Sequence, residues 1–111
     1  MLDAGQIEQV LINVLKNAIE ALQQQPAAQQ PAQIWLTLSA LQDDQVRLDI
    51  RDNGPGISAE AAALIFVPFF TTKRQGSGIG LALARQIMLN HGGDLLTVPT
   101  ENGACFRLLF G

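Results

Sequence analysis

The sequence predicts an α+β fold: a two-layer sandwich in which a mixed, mainly antiparallel sheet is covered on one face by helices. Two observations carry this. Apolar residues recur at helical spacing in two long segments, about 4–23 and 78–90. Four short segments instead read as strands, the first two by alternation of apolar and polar residues, and they fall into two adjacent pairs, each joined by a turn. The 111 residues fit one domain.

Ile7, Val10, Leu11, Val14, Leu15, Ala18 and Leu22 set the period of the first helix. Residues 23–31 are rich in Gln and Pro with no apolar period, which makes them a loop with no evident chemistry. Ile34, Leu36 and Leu38 alternate with Trp35, Thr37 and Ser39, and Val46, Leu48 and Ile50 with Arg47, Asp49 and Arg51. A turn at Asp43-Asp44 joins them as a hairpin. Ser58 can cap a short helix that runs through about Phe66. The second long helix stops at His91-Gly92-Gly93. Strands at about 94–98 and 104–110 flank a turn at Glu101-Asn102-Gly103.

Composition excludes several classes of function. Apolar residues make up 48%, against disorder. The net charge of −3 with scattered basic residues argues against nucleic acid as the main partner, since counterion release needs a basic patch. A single cysteine excludes an internal disulfide and suits a reducing cytoplasm. No apolar run reaches the roughly 20 residues of a membrane span, so no membrane contact is expected of this domain. The chain opens almost directly in a helical pattern, and we expect an excised, cytoplasmic C-terminal piece of a longer protein that membrane attachment would suit.

Four motifs carry chemistry. At about 100° per residue, Asn13, Asn17 and Glu20 share one sector of the first helix, with Lys16 beside them. Amide oxygens are neutral, hard ligands that suit a magnesium ion bridging to phosphates; a solvated helix edge would show the same stripe. Asp52-Asn53-Gly54-Pro55-Gly56-Ile57 follows a strand directly. A strand-end carboxylate can accept from an exocyclic amino group such as adenine's, and glycines admit a flat ring; an ordinary Asx turn is the alternative. In Phe66-Val67-Pro68-Phe69-Phe70-Thr71-Thr72-Lys73, phenylalanines precede polar residues. This suits either an apolar anchor for a moving loop, with Lys73 reaching anions, or a loop plugged into the core. Gly76-Ser77-Gly78-Ile79-Gly80-Leu81 opens the second long helix, where free amides and the positive dipole end make a phosphate cradle. Its spacing matches neither the dinucleotide fingerprint nor the phosphate loop that ends in Gly-Lys-Ser/Thr.

In this order and spacing the chain resembles the catalytic and ATP-binding domain of sensor histidine kinases, in the GHKL (Bergerat-fold) group with gyrase, the heat-shock chaperone ATPases and the mismatch-repair ATPases. The motifs match that family's N, G1, F and G2 boxes across about residues 3–110. The resemblance implies that Asn17 is the Mg2+ ligand and Asn13 its polar partner one turn earlier. Asp52 would read adenine, with Gly54, Gly56 and Ile57 around the ring. Thr71 to Ser77 would form a short lid of the nitrogen-regulatory type, following Phe70 and carrying Thr72, Lys73 and Gly76. Gly78, Ile79, Gly80 and Leu81 would hold the phosphates. ATP and Mg2+ are the implied cofactors. The implied partners are the dimerisation and histidine-phosphotransfer domain of the parent protein and, indirectly, a response regulator.

Three departures stand out. The family's first strand ahead of the N box has no counterpart here. Glu20 stands where many relatives have a basic residue, so Lys16 or Lys73 would supply the cation. Gly103-Ala104-Cys105-Phe106 is similar to the family's Gly-Ala-Thr-Phe, with Cys105 in place of a Thr at the adenine site. His91 follows an apolar helix and precedes two glycines, which marks a helix-end residue rather than a phosphate acceptor. Arg85 and Arg107 are expected to be solvated. The favoured function is donation of the γ-phosphate of Mg-ATP to a histidine on a partner domain. The alternatives are a GHKL ATPase and a non-transferring regulatory module such as an anti-sigma kinase relative. Clamp ATPases carry a Glu where this chain has Asn13, and an amide cannot serve as that base.

Overall fold

The computed structural model describes residues 3–23, 31–67, 80–100 and 103–110. Seven elements follow in order: α1 (Ala4–Gln23), β1 (Ile34–Ala40), β2 (Val46–Asp52), α2 (Ala59–Leu64), α3 (Gly80–Asn90), β3 (Asp94–Thr97) and β4 (Cys105–Phe110). The sheet order is β1-β2-β4-β3, and every pairing among the described strands is antiparallel.

Local chemistry sets the boundaries. Asp3 caps α1, its Oδ1 accepting from the Gln6 amide at 3.1 Å. Asp43 and Asp44 both take positive φ, 60° and 61°, as a two-residue hairpin turn of the primed type requires. Ser58 caps α2 by accepting from the Ala61 amide at 3.0 Å. This helix is shorter than expected, ending at Leu64. At the end of α3, Gly92 has φ 79°, and the Gly93 amide donates back to the Met88 carbonyl at 2.9 Å. That left-handed glycine closes the helix against its last carbonyls.

One face of the sheet holds the core. Ile50, Phe106, Leu108 and Leu95 bury against Val10 and Val14 of α1 and Ala84, Ile87 and Met88 of α3. The period-2 register explains why: Ile50 lies opposite Phe106, and Leu108 opposite Leu95. The helices pack over β2, β4 and β3. Leu36 and Leu38 of β1 share the covered face by register, yet they remain 59% and 71% exposed because neither long helix packs on β1.

The opposite face is polar and partly ion-paired. Arg107 reaches Asp49 through both Nε (2.9 Å) and Nη2 (3.2 Å), and Arg51 stacks over Trp35 with 4.8 Å to the ring centroid. Arg85 pairs with Asp94 at 3.1 Å. The two arginines expected to be solvated are therefore held by carboxylates, each supplied by a strand residue invisible to local sequence reasoning.

Candidate functional site

Asp52 is the one charged side chain buried among the described residues, with 2% exposure. It is the last residue of β2, and its backbone continues the ladder by donating to the Ala104 carbonyl at 2.9 Å. The register therefore sets Asp52 beside Ala104 on the helix-covered face. Its Oδ1 accepts from the Gly54 amide at 2.8 Å and the Ala104 amide at 3.4 Å. Among the described residues both bonds fall on Oδ1, which leaves Oδ2 to a donor from outside them. Burial pushes the carboxyl above the ordinary carboxylate value, and the Gly54 and Ala104 amides pull it part of the way back. A buried strand-end carboxylate with one engaged oxygen can take one further hydrogen bond and orient its donor.

The glycines around it differ in need. Gly56 has φ 83°, and a Cβ there would lie 2.9 Å from the Gly103 carbonyl oxygen. Gly103 has φ 73°, and a Cβ there would collide with the carbonyl of Asp52. Gly103 and Ala104 thus belong to the Asp52 environment, in the segment where the sequence singled out Cys105. The signal was present in Asn102-Gly103, a pair suited to left-handed backbone. Asn53 ties the approach to β1 onto this junction: its Nδ2 donates to the Pro31 carbonyl and its Oδ1 accepts from the Gln33 amide, both at 2.8 Å.

The polar stripe of α1 stands beside the start of α3. Asn13 donates through Nδ2 to the Gly80 carbonyl at 3.1 Å and accepts at Oδ1 from Gln9 at 2.9 Å. It fastens the first motif to the last. Asn17 and Glu20 are half-buried and Lys16 is exposed. Among the described residues no cluster of three or more acidic, His or Cys side chains could hold a metal unaided. A neutral amide contributing one oxygen, with phosphates and water supplying the rest, is the arrangement this donor set fits. Ile57 and Leu81 pack their side chains on the core cluster, so any ligand contact by them shares the residue with a packing role. Phe70, Thr71, Thr72, Lys73, Gly76, Ser77, Gly78 and Ile79 lie outside the described residues.

The structure does not bring Cys105 to Asp52. Its cross-strand partner is Arg51, and strand alternation turns it to the face opposite Asp52, Ala104 and Phe106. It is a buried wall of a cavity of about 210 Å³ shared with Ile57, Ala59, Ala62 and Val98. Burial pushes its thiol up, and the nearby Asp49 adds to that. The residue beside the carboxylate is Ala104. His91 is a connector: its Nδ1 lies 2.7 Å from the Ile87 carbonyl, and its Nε2 accepts from the Asp3 amide at 3.2 Å. It joins the end of α3 to the start of α1.

Residues 2–110 match the family described as histidine kinase-, DNA gyrase B-, and HSP90-like ATPase, and the chain belongs to it. Sensor protein FixL of Bradyrhizobium diazoefficiens is 36% identical over 106 residues, covering 95% of this chain and 20% of FixL. The signal transduction histidine-protein kinase AtoS of Escherichia coli is 38% identical over 108 residues, covering 96% and 17%. The solved catalytic domain of histidine kinase ThkA superposes with a TM-score of 0.82 at 39% identity, covering 98% of this chain and 68% of that one. These likenesses make the chain an ATP-binding catalytic domain of the histidine kinase type, at home in two-component signalling. It spans between 11% and 22% of the length of such curated relatives.

Proposed function

We propose that this domain binds Mg-ATP and donates the γ-phosphate to a histidine on the dimerisation domain of its parent protein, from which a response regulator receives it. The observation that carries the reading is Asp52, buried, with both amide bonds on Oδ1. Its remaining oxygen suits the exocyclic amino group of adenine, which guanine lacks at that position. Magnesium, when bound, screens the phosphate charge, and the Asn17 amide oxygen is its candidate protein ligand. Asn13 holds Gly80, and with it the start of α3, against α1. That fixes where free helix amides can meet phosphate. ThkA has been solved in complex with the response regulator TrrA, which supports a partner of that kind here.

Hydrolysis is the weaker reading because Asn13 is an amide and cannot take a proton from water. The test uses γ-labelled ATP. The domain alone should bind ATP, release phosphate slowly and acquire no label. Adding the parent protein's dimerisation hairpin in trans should produce acid-labile label on the hairpin. Label on the isolated domain that is lost in His91→Ala would overturn the reading of His91. Brisk phosphate release by the domain alone would favour an ATPase.

A further inference from the structure

Two helices carry the same surface pair. On α3, Gln86 donates through Nε2 to Asn90 Oδ1 at 3.0 Å; on α1, Gln9 donates through Nε2 to Asn13 Oδ1 at 2.9 Å. Both pairs span four residues, the spacing at which side chains on one helix meet, and both glutamines are exposed. The α3 pair ends there: among the described residues no bond carries Asn90 on to another element. The α1 pair goes further. Asn13 is half-buried, and its Nδ2 donates to the carbonyl of Gly80, the first residue of α3, at 3.1 Å. An ordinary helix-surface contact is thus the outer end of a relay, Gln9–Asn13–Gly80, that crosses between two helices.

A carboxamide has nearly the same shape with its oxygen and nitrogen exchanged, so packing does not choose between the two orientations. Polar partners do. The Gly80 carbonyl accepts only from the nitrogen end of Asn13, and Gln9 Nε2 holds the oxygen end. The flipped amide would set Oδ1 against the Gly80 oxygen. From this relay we infer that Gln9 is a positioning residue of the nucleotide site: it pins the Asn13 carboxamide so that the second Nδ2 hydrogen, a donor, is presented beside the start of α3.

The inference rests on the proposed reading in which the start of α3 receives the phosphates. Polarity decides what Asn13 does there. An anionic phosphate oxygen accepts from an N–H and is repelled by a carbonyl oxygen, so the pinned orientation attracts the ligand and the flipped one opposes it. Without Gln9 the Gly80 bond alone would hold the amide, and the last torsion of an asparagine is broad rather than confined to staggered wells. Gln9, on the exposed side of α1, acts only through Asn13. Gln86, with the same chemistry and no such relay, is its natural control.

Gln9→Met keeps the length and helix propensity of the side chain and removes its donor. Calorimetry should show ATP affinity falling about 2- to 10-fold, the loss expected for one neutral hydrogen bond, with adenosine affinity unchanged. Gln9→Glu puts an acceptor where the donor was, draws Nδ2 away from Gly80 and should lose more than Gln9→Met. That order should persist near 1 M salt, where the screening length is about 3 Å and plain charge repulsion fades. Gln86→Met should match Gln9→Met in urea unfolding and leave ATP affinity unchanged. In an Asn13→Ala background, Gln9→Met should have no further effect on ATP affinity. A second measurement needs no Asn13 variant: by nitrogen-15 NMR, the Asn13 Nδ2 hydrogens should exchange with water at least ~3-fold faster in Gln9→Met, those of Asn90 not. Equal ATP affinity in wild type and Gln9→Met, an equal loss in Gln86→Met, or a Gln9→Glu variant that binds ATP as well as Gln9→Met would each overturn the inference. If Asn13→Ala itself binds ATP like wild type, the reading that Asn13 serves the phosphate end fails first, and the role of Gln9 with it.

Discussion

Asp52→Asn separates recognition from folding. The substitution keeps the shape of the side chain, and its amide oxygen can still accept from the Gly54 and Ala104 amides, now 2.8 and 3.4 Å from Oδ1. The only acceptor exchanged for a donor is the group at Oδ2. With 2% exposure the site offers no solvent to replace what is lost. Loss of a hydrogen bond to a charged acceptor costs about 1.5–3 kcal/mol, so ATP affinity should fall roughly 10- to 100-fold. Folding should hold, because the variant also removes a buried charge and its desolvation cost. The new amide N–H suits the carbonyl oxygen of guanine, so the preference of ATP over GTP should narrow or invert. Asp52→Ala strips the acceptor from two amides and should cost roughly 1–3 kcal/mol of stability as well. Isothermal calorimetry with both nucleotides, beside urea unfolding of each variant, reads these effects. If Asp52→Asn binds ATP within twofold of wild type, with ATP/GTP preference intact, Asp52 does not contact the base.

A raised carboxyl value also gives Asp52 a pH signature. Since its folded value lies above the unfolded 3.8, its contribution to stability is fully present below 3.8 and is lost as pH rises through the folded value. Acidification through that value should also weaken ATP binding by protonating the acceptor. Both trends should vanish in Asp52→Asn, and parallel wild-type and variant profiles would contradict the assignment. Gly103→Ala, at φ 73° and against the Asp52 carbonyl, should lose roughly 1–3 kcal/mol in urea unfolding. Gly80→Ala should be tolerated, because its Cβ would meet Asn13 only at an ordinary 3.8 Å; a comparable loss there would contradict the packing. The buried, raised Cys105 thiol should react with a disulfide reagent at least ~10-fold more slowly in the folded domain than in urea. Equal rates would place it at the surface.

Most elements were legible because their signals are local. The period of Val10, Val14 and Ala18 defines the buried stripe of α1, and the alternation around Leu48 and Ile50 defines β2. Asp43-Asp44, Ser58 and Gly92 mark boundaries through backbone needs that a few neighbours express. What was not legible depends on residues distant in sequence. Leu36 and Leu38 have the pattern of an inward face, and only the lateral placement of α1 decides that they stay exposed. That Ala104 rather than Cys105 shares the face of Asp52 was hidden for the same reason. A one-residue shift on a strand exchanges faces, and the phase of β4 is set by its pairing with β2 rather than by its own sequence. Asp49 and Asp94 had no visible claim on Arg107 and Arg85 until strands and helix were brought together.

The candidate site lies where these long-range constraints converge. Asp52 closes β2, its oxygen binds the amide of Ala104 at the start of β4, and Gly103 packs against both the Asp52 backbone and Gly56. Asn53 ties the segment before β1 to the same point. Two strands and the G1 loop thus share a junction held by backbone amides, with a carboxylate at its centre. A surface loop could carry such a carboxylate at lower cost, but there water would compete for its second oxygen. Burial costs ionisation energy, seen in the upward shift, and in return leaves Oδ2 desolvated and aimed by two fixed amides. The Asn13–Gly80 bond applies the same logic to the other end, tying α1 to the start of α3 across 67 residues of chain. On the proposed reading, base recognition and phosphate placement rest on contacts that also hold the sheet and helices together, so substitutions at this junction that move backbone should weaken binding and folding together, while isosteric ones should separate them.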